Sequence, residues 1–305
     1  MKYKPILFLF GAGASLGSGG TTPTPPSGSE LFGRLCQAYP ETWGNISGQL
    51  ANDFSTSNFE TGMLSLYQSP GPHNVNKLLL DLGIYFSKVR ITNLKINLYY
   101  QIVIRYLPHI MNGTIILSTL NYDCLIEQAL LASGITSITY WGNGTGVRLL
   151  KLHGSCNFIP QGITVNSGQL IVGPHEINAT QPPRILHPDK AWEELSKGGI
   201  LPAMSMYAKG KNNIACEQYI IMIQKQFQEI VQSAKVVLPI GIRPEADDHH
   251  IWDCIAMSET ELFFVGNLQL CQGWIDKNHP ARAKVLGQRF EKSFSEICNA
   301  VDKFI

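Results

Sequence analysis

The sequence predicts an α/β protein, a Rossmann-like doubly wound parallel sheet with a helical insertion, and three observations carry that reading. The apolar run Ile6-Leu7-Phe8-Leu9-Phe10 breaks off at Gly11-Ala12-Gly13-Ala14-Ser15, as a buried parallel strand does when it delivers its C-terminal end to a phosphate-binding turn. Three later stretches follow predicted strands in the same way: Ser118 to Asp123, Lys151-Leu152-His153-Gly154-Ser155, and Pro239 to Asp248. Segments with apolar residues at helical spacing separate these strands, and strand, helix, strand, helix is the order of a doubly wound sheet, whose ligands gather at the strands' C-terminal ends.

Each element follows from its residues. Gly11 and Gly13 form the first half of a G-x-G-x-x-G pattern, in which a side chain would hold the backbone N–H groups away from a pyrophosphate. Leu16 to Gly28 is too rich in glycine, proline and small hydroxylated residues for a helix interior or a strand; beside a phosphate turn it reads as a loop covering the ligand. Ser29 is a candidate cap for a helix running to about Tyr39. Residues 40 to 110 hold no good strand. Val75 to Val89 and Ile96 to Ile110 have helical periodicity, so this part reads as a helical insertion. Its aromatics, Tyr67, Tyr85, Phe86, Tyr99, Tyr100 and Tyr106, read as core or subunit interface.

Thr114 to Leu117 is a β-branched run, followed by a helix through Leu125, Ile126, Ala129 and Leu130 that Gly134 stops. Ile135 to Tyr140 and Val147 to Leu152 read as strands. From Ser155 to about Cys216 the pattern dissolves. Glu217 to Ala234 is an amphipathic helix, Lys235 to Gly241 and Glu261 to Asn267 are strands, and Leu286, Phe290, Phe294, Ile297 and Val301 mark a C-terminal helix. The whole reads as one domain over 1–305, with a helical insertion at 40–110 and an irregular one at 156–216.

Composition narrows the function classes. The chain has 305 residues, 24 basic against 23 acidic side chains and a formal net charge of +1, which gives no electrostatic footprint for nucleic acid or a membrane surface. The seven cysteines are scattered and form no C-x-x-C pair, which excludes a zinc ribbon or dithiol motif and fits a reducing cytoplasm. Met1 to Ala14 imitates a secretory signal, but the uninterrupted apolar run Ile6 to Phe10 is too short for one. Without secretion, the N-x-S/T sequons at Asn45, Asn112, Asn143 and Asn178 have no meaning.

Asn121 and Asp123 bracket a strand-to-helix turn. Asp123 reads either as a helix cap or as part of a site, and the Asn121 amide is suited to orient a ribose hydroxyl or a water by donating and accepting at once. His153 leaves a buried strand where Gly154 gives room, a place for a general acid or base. Asp247-Asp248-His249-His250 has metal-binding residue types, but consecutive helical residues point to different faces and make a poor shell; Asp247 or Asp248 reads instead as the cap of the next helix, with Gly241 and Arg243-Pro244-Glu245 lining the ligand site.

These motifs, in order and spacing, resemble the sirtuin superfamily, and within it the prokaryotic sirtuin-like NADase branch. Gly11-Ala12-Gly13-Ala14-Ser15 is similar to the family's GAG-x-S loop, Thr119-Leu120-Asn121-Tyr122-Asp123 to its T-x-N-[IY]-D motif, Leu152-His153-Gly154 to its catalytic histidine-glycine, and Gly241 to Asp248 to its late glycine loop. Leu262 to Asn267 takes the place of the last ligand-contacting strand. Residues 40–110 and 156–216 show no such likeness. Deacylating sirtuins carry a zinc ribbon after the catalytic histidine, and Cys156 and Cys216 are the only cysteines in that interval here.

The resemblance implies NAD+ as substrate with no metal required: pyrophosphate on Gly11, Ala12, Gly13 and Ser15, further nucleotide contacts from Thr119, Gly241, Asp248 and Asn267, and catalysis by Asn121, His153 and a supporting Asp123. It implies an NADase of anti-phage defence, regulated as a homo-oligomer or by a partner such as a HerA-type ATPase. A subunit that senses NAD+ or ADP-ribose without turnover and a zinc-free deacylase stand beside it as alternatives.

Overall fold

The computed structural model describes residues 4–57, 59–69, 71–142, 144–163, 179–205, 216–244, 248–278 and 282–305. The sequons at Asn143 and Asn178, Glu245 to Asp247 of the late loop, and much of the irregular insertion lie outside the described residues.

Five apolar runs form the middle of the sheet because every side chain, or nearly every one, can be buried between two helical layers. In chain order the strands are β1 (Ile6–Phe10), β2 (Thr21–Thr22), β3 (Arg90–Ile91), β4 (Ile115–Thr119), β5 (Ile138–Thr139), β6 (Val147–Lys151), β7 (Phe158–Ile163), β8 (Ala179–Ile185), β9 (Val236–Ile240), β10 (Glu261–Val265) and β11 (Ala283–Gly287). Seven of them make one parallel sheet in the order β11-β10-β9-β1-β4-β6-β5. Leaving aside the short edge strand β5, this is the 3-2-1-4-5-6 order of a Rossmann fold. Its switch point falls between β1 and β9, the crevice where ligands of such sheets bind.

The remaining chain packs in two places. Helices Leu98–Arg105 and Leu107–Met111 lie on the sheet, with Tyr99, Ile102, Val103, Tyr106 and Ile110 in the main core. Helices Gly28–Ala38, Phe59–Gln68 and Val75–Ser87 build a second core around Trp43, and Cys156, Ile159, Leu186, Leu195 and Met204 join it. Residues from both expected insertions thus share one apolar core. Tyr122, on the β4 turn, also belongs to it.

Several expected elements are corrected. The helix expected to begin at Ser29 starts at Gly28, and Ser27 caps it through a capping box with Glu30, whose carboxylate accepts from the Ser27 N–H at 3.0 Å. Leu286 sits on β11, and the C-terminal helix covers only Phe294–Val301. The strand expected over Ile135 to Tyr140 reduces to Ile138–Thr139.

Candidate active site

At the switch point the β1 and β9 turns touch. Gly13 N–H donates to Gly241 O at 2.9 Å and Gly11 N–H to Ile240 O at 2.9 Å. A Cβ on Gly241, whose φ is +66°, would collide with the Ala14 nitrogen, and one on Gly11 would lie 2.7 Å from Gly241 O. The expected reason for glycine here was N–H access to pyrophosphate. The N–H groups of Gly11, Gly13, Ala14 and Ser15 are instead bound to main-chain carbonyls, so the glycines serve to let the two turns meet. Exposed Ala12 lies on the ligand side of this contact.

A cavity of about 390 Å³ opens from this junction. Its polar wall holds Asn121, Asp123, His153 and Asp248, brought from the ends of β4, β6 and β9. Its apolar wall holds Leu31, Phe54, Phe59 and Phe86, and Pro25, Pro26 and Ser27 of the glycine- and proline-rich loop close one side. A smaller hollow of about 190 Å³ adjoins it, sharing Gly13, Gly241, Ile242 and Arg243 and adding Gly266 and Asn267. Of the stretch expected as one loop, Leu16 and Gly17 end helix Ala12–Gly17, Thr21–Thr22 pair with β3, and Pro25 to Gly28 reach the cavity.

Hydrogen bonds fix the polar wall. Asn121 is 8% exposed, and its Nδ2 donates to Gly11 O and to Ser15 Oγ, both at 2.8 Å. Two amide hydrogens are thereby used, and only the carbonyl oxygen remains to serve a ligand. The expectation that this amide would donate and accept at once is corrected: it accepts. Ser15 Oγ in turn donates to Asp123 Oδ2 at 2.8 Å and lies 3.1 Å from the Tyr99 hydroxyl. With its one hydrogen on Asp123, Ser15 accepts from both Asn121 and Tyr99, and a hydroxyl has no further valence for a phosphate. Burial pushes the Tyr99 phenol well above its usual range, and the Asp123 carboxylate adds to this, so Tyr99 stays a donor.

Asp123 Oδ1 also accepts from the Leu125 N–H at 3.0 Å at the start of helix Leu125–Ala132, as the capping reading expects, and the same residue lines the cavity. Thr119 is buried away from the cavity. Its hydroxyl donates to Phe10 O and accepts from the Asn121 N–H, each at 3.0 Å, so it shapes the turn rather than facing a nucleotide. Beneath the turn, fully buried Lys151 donates to Asp123 O and stands 3.1 Å from Glu127. Burial opposes the Lys151 charge, but the Glu127 carboxylate, joined by Cys124, Asp123 and Cys156, together outweighs it and carries the ammonium above its ordinary range.

His153 is 2% exposed, and Ser205 N–H donates to its main-chain oxygen at 2.7 Å. Gly154 follows at φ +75°, packed so that a Cβ would collide with Ala203 O, which is why the chain can turn away and leave the imidazole on the cavity. Its Nε2 lies 3.8 Å from Asp248 Oδ1. Asp248 holds the expected N-cap position of helix His249–Ala256, its main-chain oxygen accepting from the Ile251 and Trp252 N–H groups, but its carboxylate makes no cap bond and lies toward His153 instead. Asp247 lies outside the described residues. Asn267 Oδ1 accepts from the Leu270 N–H at 3.1 Å, capping the next helix at the rim of the smaller hollow.

Sequence reasoning missed the apolar wall. Phe54 and Phe59 sit in a cluster with Phe32 and Trp43, and nothing in their spacing distinguishes a cavity wall from a core. Phe86, expected to be core or interface, packs edge-on against Tyr122 at 5.7 Å and lines the cavity.

No protein-family model and no curated protein matches the chain. Among solved structures it is similar to one from work on the structural basis of sirtuin substrate affinity, with 13% identity over 99% of this chain and 94% of that one and a TM-score of 0.46. A mutant Sir2 homologue in complex with 2'-O-acetyl ADP ribose gives 14% identity, 99% and 93% coverage and a TM-score of 0.45. Sir2Tm bound to a propionylated peptide gives 12%, 99% and 93%, with a TM-score of 0.43. Likeness at this level carries no functional information. Among the described residues, no helix is long and apolar enough to cross a membrane.

Proposed function

We propose that the chain is an NAD+ glycohydrolase, taking NAD+ and water to nicotinamide, ADP-ribose and a proton. The observation that carries this reading is the fixed amide of Asn121: both hydrogens are anchored to the protein, which leaves the carbonyl oxygen for a ligand, and Asn121 shares a cavity wall with His153. Such an oxygen accepts from a ribose hydroxyl or from the attacking water and cannot donate to either. Nicotinamide leaves as a neutral molecule from a cationic ring, so the site has only to hold an oxocarbenium-like ribose and supply water to C1'. His153 takes the proton of that water, directly or by way of a ribose hydroxyl, and Asp248 beside it favours the imidazolium that results.

The ligand follows the two hollows. Pyrophosphate lies over Ala12 at the β1–β9 junction with Arg243 at hand as its cation, adenosine extends to Gly266 and Asn267, and nicotinamide enters the apolar part by Phe54, Phe59 and Phe86. This assignment gives Gly11, Gly13, Gly241, Ser15 and Thr119 the task of shaping the site. The resemblance to sirtuin-like NADases extends the reading to cytoplasmic NAD+ depletion in anti-phage defence, held off by homo-oligomerisation or a HerA-type ATPase.

The test is nicotinamide release from NAD+ by the purified chain, without acylated peptide, beside Asn121→Ala and His153→Ala. Release that each substitution lowers by at least about 10²-fold supports the hydrolase. NAD+ binding by calorimetry without release, alone and with an added HerA-type partner, replaces it with a sensor. Release that depends on an acyl-lysine peptide replaces it with a deacylase.

A further inference from the structure

Three side chains from two separate segments meet beside the cavity, and two of them, His153 and Asp248, line it. His153 comes from the end of β6, and Asp248 and His250 from the start of helix His249–Ala256. The rings of His153 and His250 lie 5.5 Å apart at 51°, His153 Nε2 is 3.8 Å from Asp248 Oδ1, and one ligand atom from each of the three lies within 4.8 Å of the others. The intervening His249 turns outward and pairs with Asp253 at 3.2 Å. Four consecutive residues make a poor metal shell, as the sequence indicates, but the fold discards His249 and adds a histidine from nearly a hundred positions away.

Two imidazoles and one carboxylate are a donor set for zinc and its neighbours in the first transition row. Calcium and magnesium call for oxygen alone. Bonds of about 2.0–2.1 Å in a tetrahedral shell place neighbouring ligand atoms roughly 3.3 Å apart. The His153–Asp248 pair is about half an ångström from that spacing, and the widest separation closes with about 1.5 Å of side-chain movement. Since His153 and Asp248 line the cavity, a fourth position would open toward the substrate.

We propose that His153, Asp248 and His250 form a binding site for Zn2+ that switches the enzyme off. The metal would hold the same imidazole and carboxylate that handle the proton, so an occupied site has no base. The metal's fourth ligand would also fill the part of the cavity that the ribose and its attacking water need, so metal and NAD+ exclude one another. The inhibitory half of this proposal rests on the NAD+ glycohydrolase reading, whereas metal binding does not.

The experiment is a titration of the metal-free full-length chain with Co2+ alone, followed by visible absorption, with Zn2+ as competitor. One Co2+ per chain is expected, with the intense d–d bands of a four-coordinate site, displaced by Zn2+ and weakened at least tenfold by saturating NAD+. His250→Ala and, as a second variant of similar size, His250→Gln are expected to lose at least a hundredfold in Co2+ affinity while circular dichroism and metal-free nicotinamide release stay unchanged. In those variants Zn2+ should need at least tenfold higher concentration to stop release. The metal site is overturned if no stoichiometric Co2+ binds, if both His250 variants bind as the parent does, or if the spectrum shows thiolate charge transfer from the cysteines. Its inhibitory role is overturned if NAD+ leaves the Co2+ affinity unchanged or Zn2+ leaves release unchanged. A parent chain that binds Co2+ at this site but releases no nicotinamide, alone or with an added HerA-type partner, would uphold the metal site and refute the hydrolase.

Discussion

Ser15 shows how much one hydroxyl can decide. It stands where a loop serine would meet a phosphate, yet its donated hydrogen goes to Asp123 and its lone pairs to Asn121 and Tyr99. The consequence differs from that of a phosphate contact. Ser15→Ala leaves a buried carboxylate oxygen and a buried amide hydrogen without their partner, which costs about 1–3 kcal/mol of stability. It also leaves the Asn121 amide held by Gly11 O alone, and a displacement of about 1 Å in a positioning group costs on the order of 10²-fold in rate. Steady-state kinetics of Ser15→Ala should therefore show kcat lowered by about 10²-fold with KM for NAD+ changed by no more than about threefold. A raised KM at unchanged kcat would return Ser15 to the pyrophosphate. Asn121, Asp123 and His153 were legible as residues because each follows an apolar run at a strand end. That Asn121 accepts only, and that Asp248 faces a histidine, was not legible, because both depend on partners more than thirty residues away.

At the scale of elements, the five central strands could be read from runs of mainly apolar residues, and β11 could not. Ala283–Gly287 is only half-buried at the sheet edge, so it needs no such run, and Leu286 falls by chance in step with Phe290 and Phe294. Strand β8 contains Pro182 and Pro183, which cannot donate to a ladder, and its antiparallel pairing with β7 is registered by distant residues. Residues 40–110 read in the sequence as a helical insertion whose aromatics serve the core or a subunit interface, but Phe54, Phe59 and Phe86 from this part line the cavity. Phe86→Ala tests that placement. Removing a ring that lines the cavity and packs edge-on against Tyr122 should raise KM for NAD+ about tenfold, the equivalent of roughly 1.4 kcal/mol, with kcat within about threefold, since the ring carries no proton. Equal kinetics in Phe86→Ala and the parent would move the nicotinamide out of this part of the cavity.

The whole molecule turns on one junction. Strands β1, β4, β6 and β5 run to one side of the switch point and β9, β10 and β11 to the other, and the site exists because the turns after β1 and β9 approach closely enough to share hydrogen bonds. Gly241 sets that approach twice over. Its φ of +66° disfavours any residue with a Cβ, and the added carbon would collide with the main chain of the opposite turn, where no side-chain rotation can relieve the clash. Gly241→Ala should therefore lower unfolding stability by about 3 kcal/mol, combining left-handed strain of about 1–2 kcal/mol with the displacement of one turn from the other. It should also abolish NAD+ binding, because the polar wall and the adenosine hollow are held in register only through this contact. Gly33→Ala supplies the comparison: Gly33 lies within helix Gly28–Ala38 and an added Cβ there meets nothing within 4 Å, so that variant should gain about 0.5–1 kcal/mol from helix propensity alone. Urea unfolding of both proteins with NAD+ calorimetry separates the cases. If Gly241→Ala unfolded at the parent's midpoint and still bound NAD+, the two turns would have to move independently, and the site could not depend on their contact.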